Sequence, residues 1–332
     1  MWAAGWGCAA LVLNVPMELP LGIRRLTIPL PTRPGHVHAY LVPGDDGWTL
    51  VDTGIGLPDA KEYWAGLLDG IGDVTRIFIT HFHPDHVGAA ADVAELTGAE
   101  VVEGSLDFEQ CVLVWGNDDW PHRIGEWFIR YGVPQENVDE LLQTGAVYRQ
   151  FIRYHPSPRL VEPGELLDGW ELVAAPGHAD GQLCLLKDGV LVSADHLLGR
   201  ISPTVGLWPE SRPDPLGDFL DSLRRTIELA PTIALPGHGD VIEDPVGRAH
   251  ELIEHHRLRL LETESVLTER PRTAYEVSFD LFGRELKAAS RRFAVAETIS
   301  HLERLVQEER AERREEIGSV AYTARQLGRR TF

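Results

Sequence analysis

Three imidazoles and a carboxylate fall within six residues of Thr80-His81-Phe82-His83-Pro84-Asp85-His86-Val87-Gly88, directly after the apolar run Arg76-Ile77-Phe78-Ile79. That density limits what the chain can fold into. The apolar run reads as a strand, and side chains two apart at its end point the same way, which puts His81 and His83 on one side. Residues 89–96 then turn helical, so Asp85 and His86 stand at the strand-to-helix turn beside the first pair. Imidazole and carboxylate donors this close together suit a borderline divalent metal such as zinc, with iron or manganese as alternatives. The competing reading is a His-rich surface loop, and further His and Asp motifs downstream count against it.

Those motifs are Pro176-Gly177-His178, Ser193-Ala194-Asp195-His196 and Pro236-Gly237-His238-Gly239, with Val51-Asp52-Thr53-Gly54 preceding the metal loop. In this order, over residues 23–245, the chain resembles the metallo-β-lactamase-fold hydrolases. The resemblance implies an αββα sandwich and two divalent metal ions, zinc first, with iron or manganese as alternatives. By it His81, His83 and His178 hold one ion, Asp85, His86 and His238 hold the other, and Asp195 bridges both. Asp52 is implied to orient the metal loop without touching metal. Asp85 and Asp195 become the catalytic carboxylates of a hydrolase that attacks with a metal-bound hydroxide. On that mechanism no serine or cysteine nucleophile is needed, and Ser193 is read as structural.

Departures from particular branches narrow the choice. Dizinc β-lactamases typically carry Cys or Ser where Asp195 stands, and flavodiiron proteins carry Glu where His83 stands. What remains is glyoxalase-II-like, acyl-carrier and acyl-CoA thioesterases, lactonases and RNA-cleaving members. A thioester or related small acyl substrate is expected; an endoribonuclease or a lactonase on the same site is the alternative, and a metal-binding scaffold without catalysis is the third.

Charge bears on that choice. The chain has 31 basic and 51 acidic residues; 16 basic and 15 acidic stand from Pro245 onward, leaving 15 basic and 36 acidic before it. An acidic catalytic region repels phosphate backbones and argues against nucleic acid as a partner. Cys8, Cys111 and Cys184 show no paired spacing, which fits a reducing, cytoplasmic setting. No apolar run reaches the roughly 18–20 residues of a membrane span.

Element order completes the reading. Residues 1–16 are expected to be disordered or a misplaced start, and 17–244 to form the catalytic domain. Strand-like runs lie at 24–30, 36–42, 47–52 and 100–103, with a helix at 59–70. A second set of strands at 170–174, 182–186, 190–193 and 233–235 leads into the later motifs, followed by a covering helix at 214–229. An aromatic, helical insertion at 105–160, with Trp115, Trp120, Trp127, Phe128, Tyr131, Tyr148, Phe151 and Tyr154, is either a lid over the site or a self-packed unit. His122 and His155 within it read as surface or hydrogen-bonded histidines.

Residues 245–332 resemble a small C-terminal winged-helix module. It has a long helix at 246–267, a helix at 292–309, and strand-like runs around 316–319 and 320–323. The 292–309 helix carries Glu297, Glu303, Glu308 and Glu309 against few basic groups, a poor match for base edges. Its apolar Phe293, Ile299, Leu302, Leu305 and Val306 are expected to pack. The module is read as closing one wall of the cleft or joining a homodimer.

Overall fold

The structure, a computed structural model, describes residues 17–316 and 318–325. Residues 1–16, Cys8 included, and the expectation for them lie outside the described residues.

Two sheets face one another. The first has seven strands in chain order: β1 (Met17–Glu18), β2 (Arg24–Pro29), β3 (His36–Pro43), β4 (Trp48–Val51), β5 (Val74–Ile79), β6 (Glu100–Gly104) and β7 (Arg159–Val161). β1 to β4 form an antiparallel meander and β4 to β7 run parallel. Parallel neighbours need a crossover. α1 (Ala60–Leu68) joins β4 to β5, α2 (Pro84–Val87) and α3 (Ala90–Thr97) join β5 to β6, and α4 (Ser105–Trp115), α5 (Trp120–Arg130) and α6 (Gln135–Arg149) join β6 to β7. The second sheet runs β8 (Leu166–Leu167), β9 (Trp170–Ala174), β10 (Leu183–Lys187), β11 (Val190–Ala194) and β12 (Ile233–Pro236), with α7 (Pro215–Leu229) crossing from β11 to the parallel β12.

Strand alternation builds the layers. Tyr40, Val42, Phe78, Leu183, Leu185, Val190 and Val192 fill the space between the sheets. Their neighbours Ala39, Leu41, Ile77, Ile79, Cys184 and Leu191 face outward onto helices, among them Trp64 and Leu67 of α1 and Phe219 and Leu223 of α7. This is the expected αββα sandwich.

Past it, α8 (Pro245–Ser265) packs on α7, and α9 (Ala274–Phe282) and α10 (Ala288–Gln307) follow. α7 and α8 both start from Asp-Pro: Asp214 and Asp244 accept from the backbone N–H groups of Gly217 and Gly247, and proline takes the first helical position. α9 opens on a capping box between Thr273 and Glu276.

The insertion is helical as expected, through α4, α5 and α6, and its Trp120, Phe128 and Tyr131 are buried. Two details differ from expectation. No single strand runs through 316–319: Glu316 ends β14 (Ala311–Glu316), Ser319 opens the antiparallel β15 (Ser319–Ala324), and Gly318 stands before it at φ 83°. The charged run of Glu312, Arg313, Arg314 and Glu315 hid β14, and β13 (Arg272–Thr273) adds a third. On α10, Ile299, Leu302 and Leu305 are buried as expected, but Phe293 is 47% exposed.

His256 of α8 and His301 of α10 are buried in this C-terminal region. Burial, with their mutual repulsion for His256, lowers their pKa values to about 2 and about 4. Both are therefore neutral when folded, while the unfolded chain takes up protons below about pH 6.5. Stability is full above that value and falls as pH drops towards the folded pKa values. His256→Gln is expected to make unfolding free energy between pH 6.5 and 4.5 less pH-dependent by about 1.4 kcal/mol per pH unit. Urea unfolding across that window checks this, and an unchanged slope would contradict it.

Candidate metal centre

Every residue of the predicted cluster stands just past the carboxyl end of a strand. His81 and His83 follow β5, with Asp85 and His86 in the single turn of α2. His178 follows β9, Asp195 follows β11, and His238 follows β12. Both sheets therefore deliver donors to one edge of the sandwich. Two glycines allow the approach. Gly177, at φ 132°, lies against the Phe219 backbone, and a Cβ at Gly237 would run into the Asp195 carboxylate and the His86 ring.

The side chains converge. His83 Nδ1 is 2.8 Å from His178 Nε2. Asp195 Oδ2 lies 3.6 Å from His178 Nε2 and 3.3 Å from His238 Nε2, and its Oδ1 is 3.5 Å from His86 Nε2. Asp85 Oδ2 is 3.3 Å from His238 Nε2. Three donor groups result: His81, His83 and His178; Asp85, His86 and His238; and His81, His86 and Asp195.

The opposite ring nitrogens are tied down. His86 Nδ1 donates to Asp52 Oδ2 at 2.8 Å, His178 Nδ1 to the Thr204 carbonyl at 2.8 Å and His238 Nδ1 to the His36 carbonyl at 2.7 Å. His81 Nδ1 lies 3.0 Å from Thr80 Oγ1, whose own proton goes to the Asp52 carboxylate. These bonds fix tautomers that present Nε2 lone pairs to the centre.

His81 Nε2, His86 Nε2 and Asp195 Oδ1 are buried with no hydrogen-bond partner among the described residues. Orphaned buried donors and acceptors are rare because each carries its full desolvation cost. Three at one point, each with a lone pair to give, fit divalent cations.

Electrostatics agree. Burial raises the Asp195 carboxyl, but His238 and His86 outweigh it and hold the group well below the usual carboxylate range. Burial also opposes the charge on Asp85, yet His86 and His238 bring it to about 2. Two carboxylates thus stay ionised, and they act in return on the imidazoles beside them. Burial opposes charge on both His86 and His238, yet Asp52, Asp195 and Asp85 raise His86 well above its usual value, and Asp195 and Asp85 raise His238 to about 10. They favour there the positive charge that a divalent ion would supply in place of protons. Burial, reinforced by His178, lowers His83 to about 3, and burial and the surrounding histidines hold His81 well below its usual value.

Ser193, read as structural, is buried with its hydroxyl on the Leu197 carbonyl. His122 is exposed beside Glu126, and His155 accepts from the Ser157 N–H. Sequence reasoning missed several supports. His36 Nε2 accepts from the Gly239 N–H and His38 Nε2 donates to the Gly239 carbonyl, clamping the His238 turn from β3. The His-x-His alternation at the start of β3 was the available signal. Asp107 accepts from the Phe82 N–H at 3.1 Å, between His81 and His83, and no sequence pattern marks it.

Residues 32–238 match the family model of the metallo-beta-lactamase superfamily, and residues 260–325 match that of the metallo-beta-lactamase-like C-terminal domain. A probable metallo-hydrolase of Bacillus subtilis is 29% identical over 303 residues, covering 86% of this chain and 92% of that protein. The crystal structure of a metallo-beta-lactamase family protein from Thermus thermophilus is similar at 33% identity and TM-score 0.81, covering 93% of this chain and 100% of that one. A more distant relative, an atrochrysone carboxyl ACP thioesterase of Emericella nidulans, is 23% identical over 66% of this chain and 58% of its own length.

Replacing Asp52 by Ala frees His86 Nδ1 and the Thr80 N–H. Zinc affinity of Asp52→Ala, measured by competition with a chromophoric chelator, is expected to fall about 10- to 100-fold. Wild-type affinity would contradict the assigned role.

Proposed function

Because the chain belongs to the metallo-beta-lactamase superfamily and is a metallo-hydrolase, we propose that it uses two divalent metal ions, zinc first, to hydrolyse a thioester or related small acyl compound. One observation carries the two-metal reading: the Asp195 carboxylate lies within 3.3 to 3.6 Å of His178, His86 and His238 and so touches both donor triads.

His81, His83 and His178 would hold one ion and Asp85, His86 and His238 the other, with Asp195 shared. Ions bound there would lower the pKa of water towards about 7 and polarise the substrate's carbonyl. The chain's own contribution is placement. Asp52, Thr204 and the His36 carbonyl aim the imidazoles, and Asp85 and Asp195 supply the negative charge that two cations require. An all-nitrogen-and-oxygen donor set supports zinc, with iron and manganese next.

The thioester reading draws on three supports. Among the described residues the thiols of Cys111 and Cys184 are raised by burial and Ser193 is buried, so none of these three competes as a nucleophile. The residues before Pro245 hold 36 acidic against 15 basic groups, which disfavours a phosphodiester backbone. A relative described as a thioesterase matches two thirds of the chain. We place the protein in a reducing cytoplasm on its free, buried Cys111 and Cys184. Among the described residues no helix is long and apolar enough to cross a membrane. We read the C-terminal helices and three-stranded sheet as a winged-helix-like module that serves as a packing element rather than a reader of nucleic acid.

Two experiments test this. Asp195→Asn is expected to abolish hydrolysis while the far-UV spectrum and urea midpoint stay near wild type; undiminished turnover would refute the shared-carboxylate mechanism. Metal-replete protein assayed on acyl-glutathione, acyl-CoA, a lactone and single-stranded RNA is expected to cleave a thioester in a chelator-sensitive way. Cleavage of RNA with inert thioesters would overturn the substrate assignment.

A further inference from the structure

His178 is oriented by a carbonyl that belongs to no regular element. Residues 202–214, between Asp195 and α7, form neither helix nor strand, yet Thr204 must hold its oxygen 2.8 Å from His178 Nδ1. A loop of this kind cannot fix a carbonyl alone. What fixes it is α10.

The attachment is a chain of hydrogen-bonding contacts. The Glu297 carbonyl accepts from His301 Nδ1–H at 2.8 Å, which leaves His301 Nε2 as an acceptor. His256 Nδ1–H donates to it at 3.4 Å, which leaves His256 Nε2 as an acceptor 3.2 Å from the Ser202 hydroxyl, whose proton the Pro203 carbonyl at 3.1 Å also attracts. Both imidazoles are buried, and their neutral state makes this arrangement available at ordinary pH.

Further along, the Leu207 N–H donates to the Ala296 carbonyl at 3.0 Å, and Trp208 stacks against Arg292 at 5.2 Å and Phe293 at 6.0 Å. Arg304 reaches the Asp214 carboxylate at 2.8 Å. Positions 292, 296 and 304 thus meet the catalytic domain's own segment at successive points along α10. The same segment returns to the site a second time, where the Arg212 N–H donates to Asp180 at 2.8 Å, two residues past His178.

We propose that α10 is a clamp on the metal centre: through His301, His256 and Ser202 it holds the Thr204 carbonyl that aims His178, which makes His301 and His256 positioning residues. The proposal rests on the reading that His178 holds one of two ions.

The test uses the full chain. His301→Leu keeps bulk but removes the acceptor, whereas His301→Gln can restore one at the place of Nε2. Metal-free protein is titrated with zinc against a chelator, and with cobalt(II) followed by its visible spectrum. In His301→Leu one of the two ions is expected to bind about 10- to 100-fold more weakly with an altered cobalt spectrum, the other ion to be unaffected, and His301→Gln to recover most of the loss. Ser202→Ala, which cuts the same chain from the loop side, is expected to repeat the one-site loss and serves if His301→Leu does not fold. Two ions bound with wild-type affinity and spectrum in a folded His301→Leu or Ser202→Ala would overturn the clamp. Failure of the wild-type chain to take up two ions would instead overturn the two-metal reading and the clamp with it.

Discussion

The structure turns on a single buried carboxylate. Asp52, at φ 63° just past β4, accepts from the Thr80 N–H at 2.9 Å and from His86 Nδ1–H at 2.8 Å. Its turn is strapped to the metal loop on both sides. The Asp52 N–H bonds the Phe78 carbonyl, the Thr53 N–H and hydroxyl bond the His86 carbonyl, and the Ala89 N–H bonds the Gly54 carbonyl. A charge buried this deeply is tolerable only because every one of these donors is aimed at it or at its turn. In return it fixes two of the donors, His86 directly and His81 through Thr80.

From that anchor the rest is a matter of bringing a second sheet to the same edge. β9, β11 and β12 each end at a turn that carries one of the converging side chains, and the sheet–sheet core of Tyr40, Phe78, Leu183, Val192 and their neighbours sets the two edges flush. Asp195 sits where the contributions meet. It is buried, ionised and surrounded by imidazole nitrogens, an arrangement that positive charge completes.

Much of this was legible because ligands and strands signal independently. The apolar run before His81, the Pro-Gly-His turns at 176–178 and 236–238, and the Asp-Pro starts of α7 and α8 each mark position with residue types that have local reasons to be there. What escaped were contacts made by backbone or at long separation. The Thr204 and His36 carbonyls carry no side-chain signature, yet each sets the tautomer of a histidine. Asp107 reaches Phe82 across 25 residues. The charged strand 311–316 and the exposed Phe293 misled for one reason: α10 and its sheet pack around specific pairs, such as Arg313 with Glu303 and Arg292 with Trp208, rather than by a simple apolar stripe.

In the proposed mechanism one carboxylate, Asp195, serves two cations. Anomalous diffraction at the metal's absorption edge, on crystals of the metal-replete protein, would locate both. Two peaks about 3.5–4 Å apart are expected, one among His81, His83 and His178, the other among Asp85, His86 and His238, with Asp195 between them. A single peak, or a pair lying away from Asp195, would contradict that mechanism.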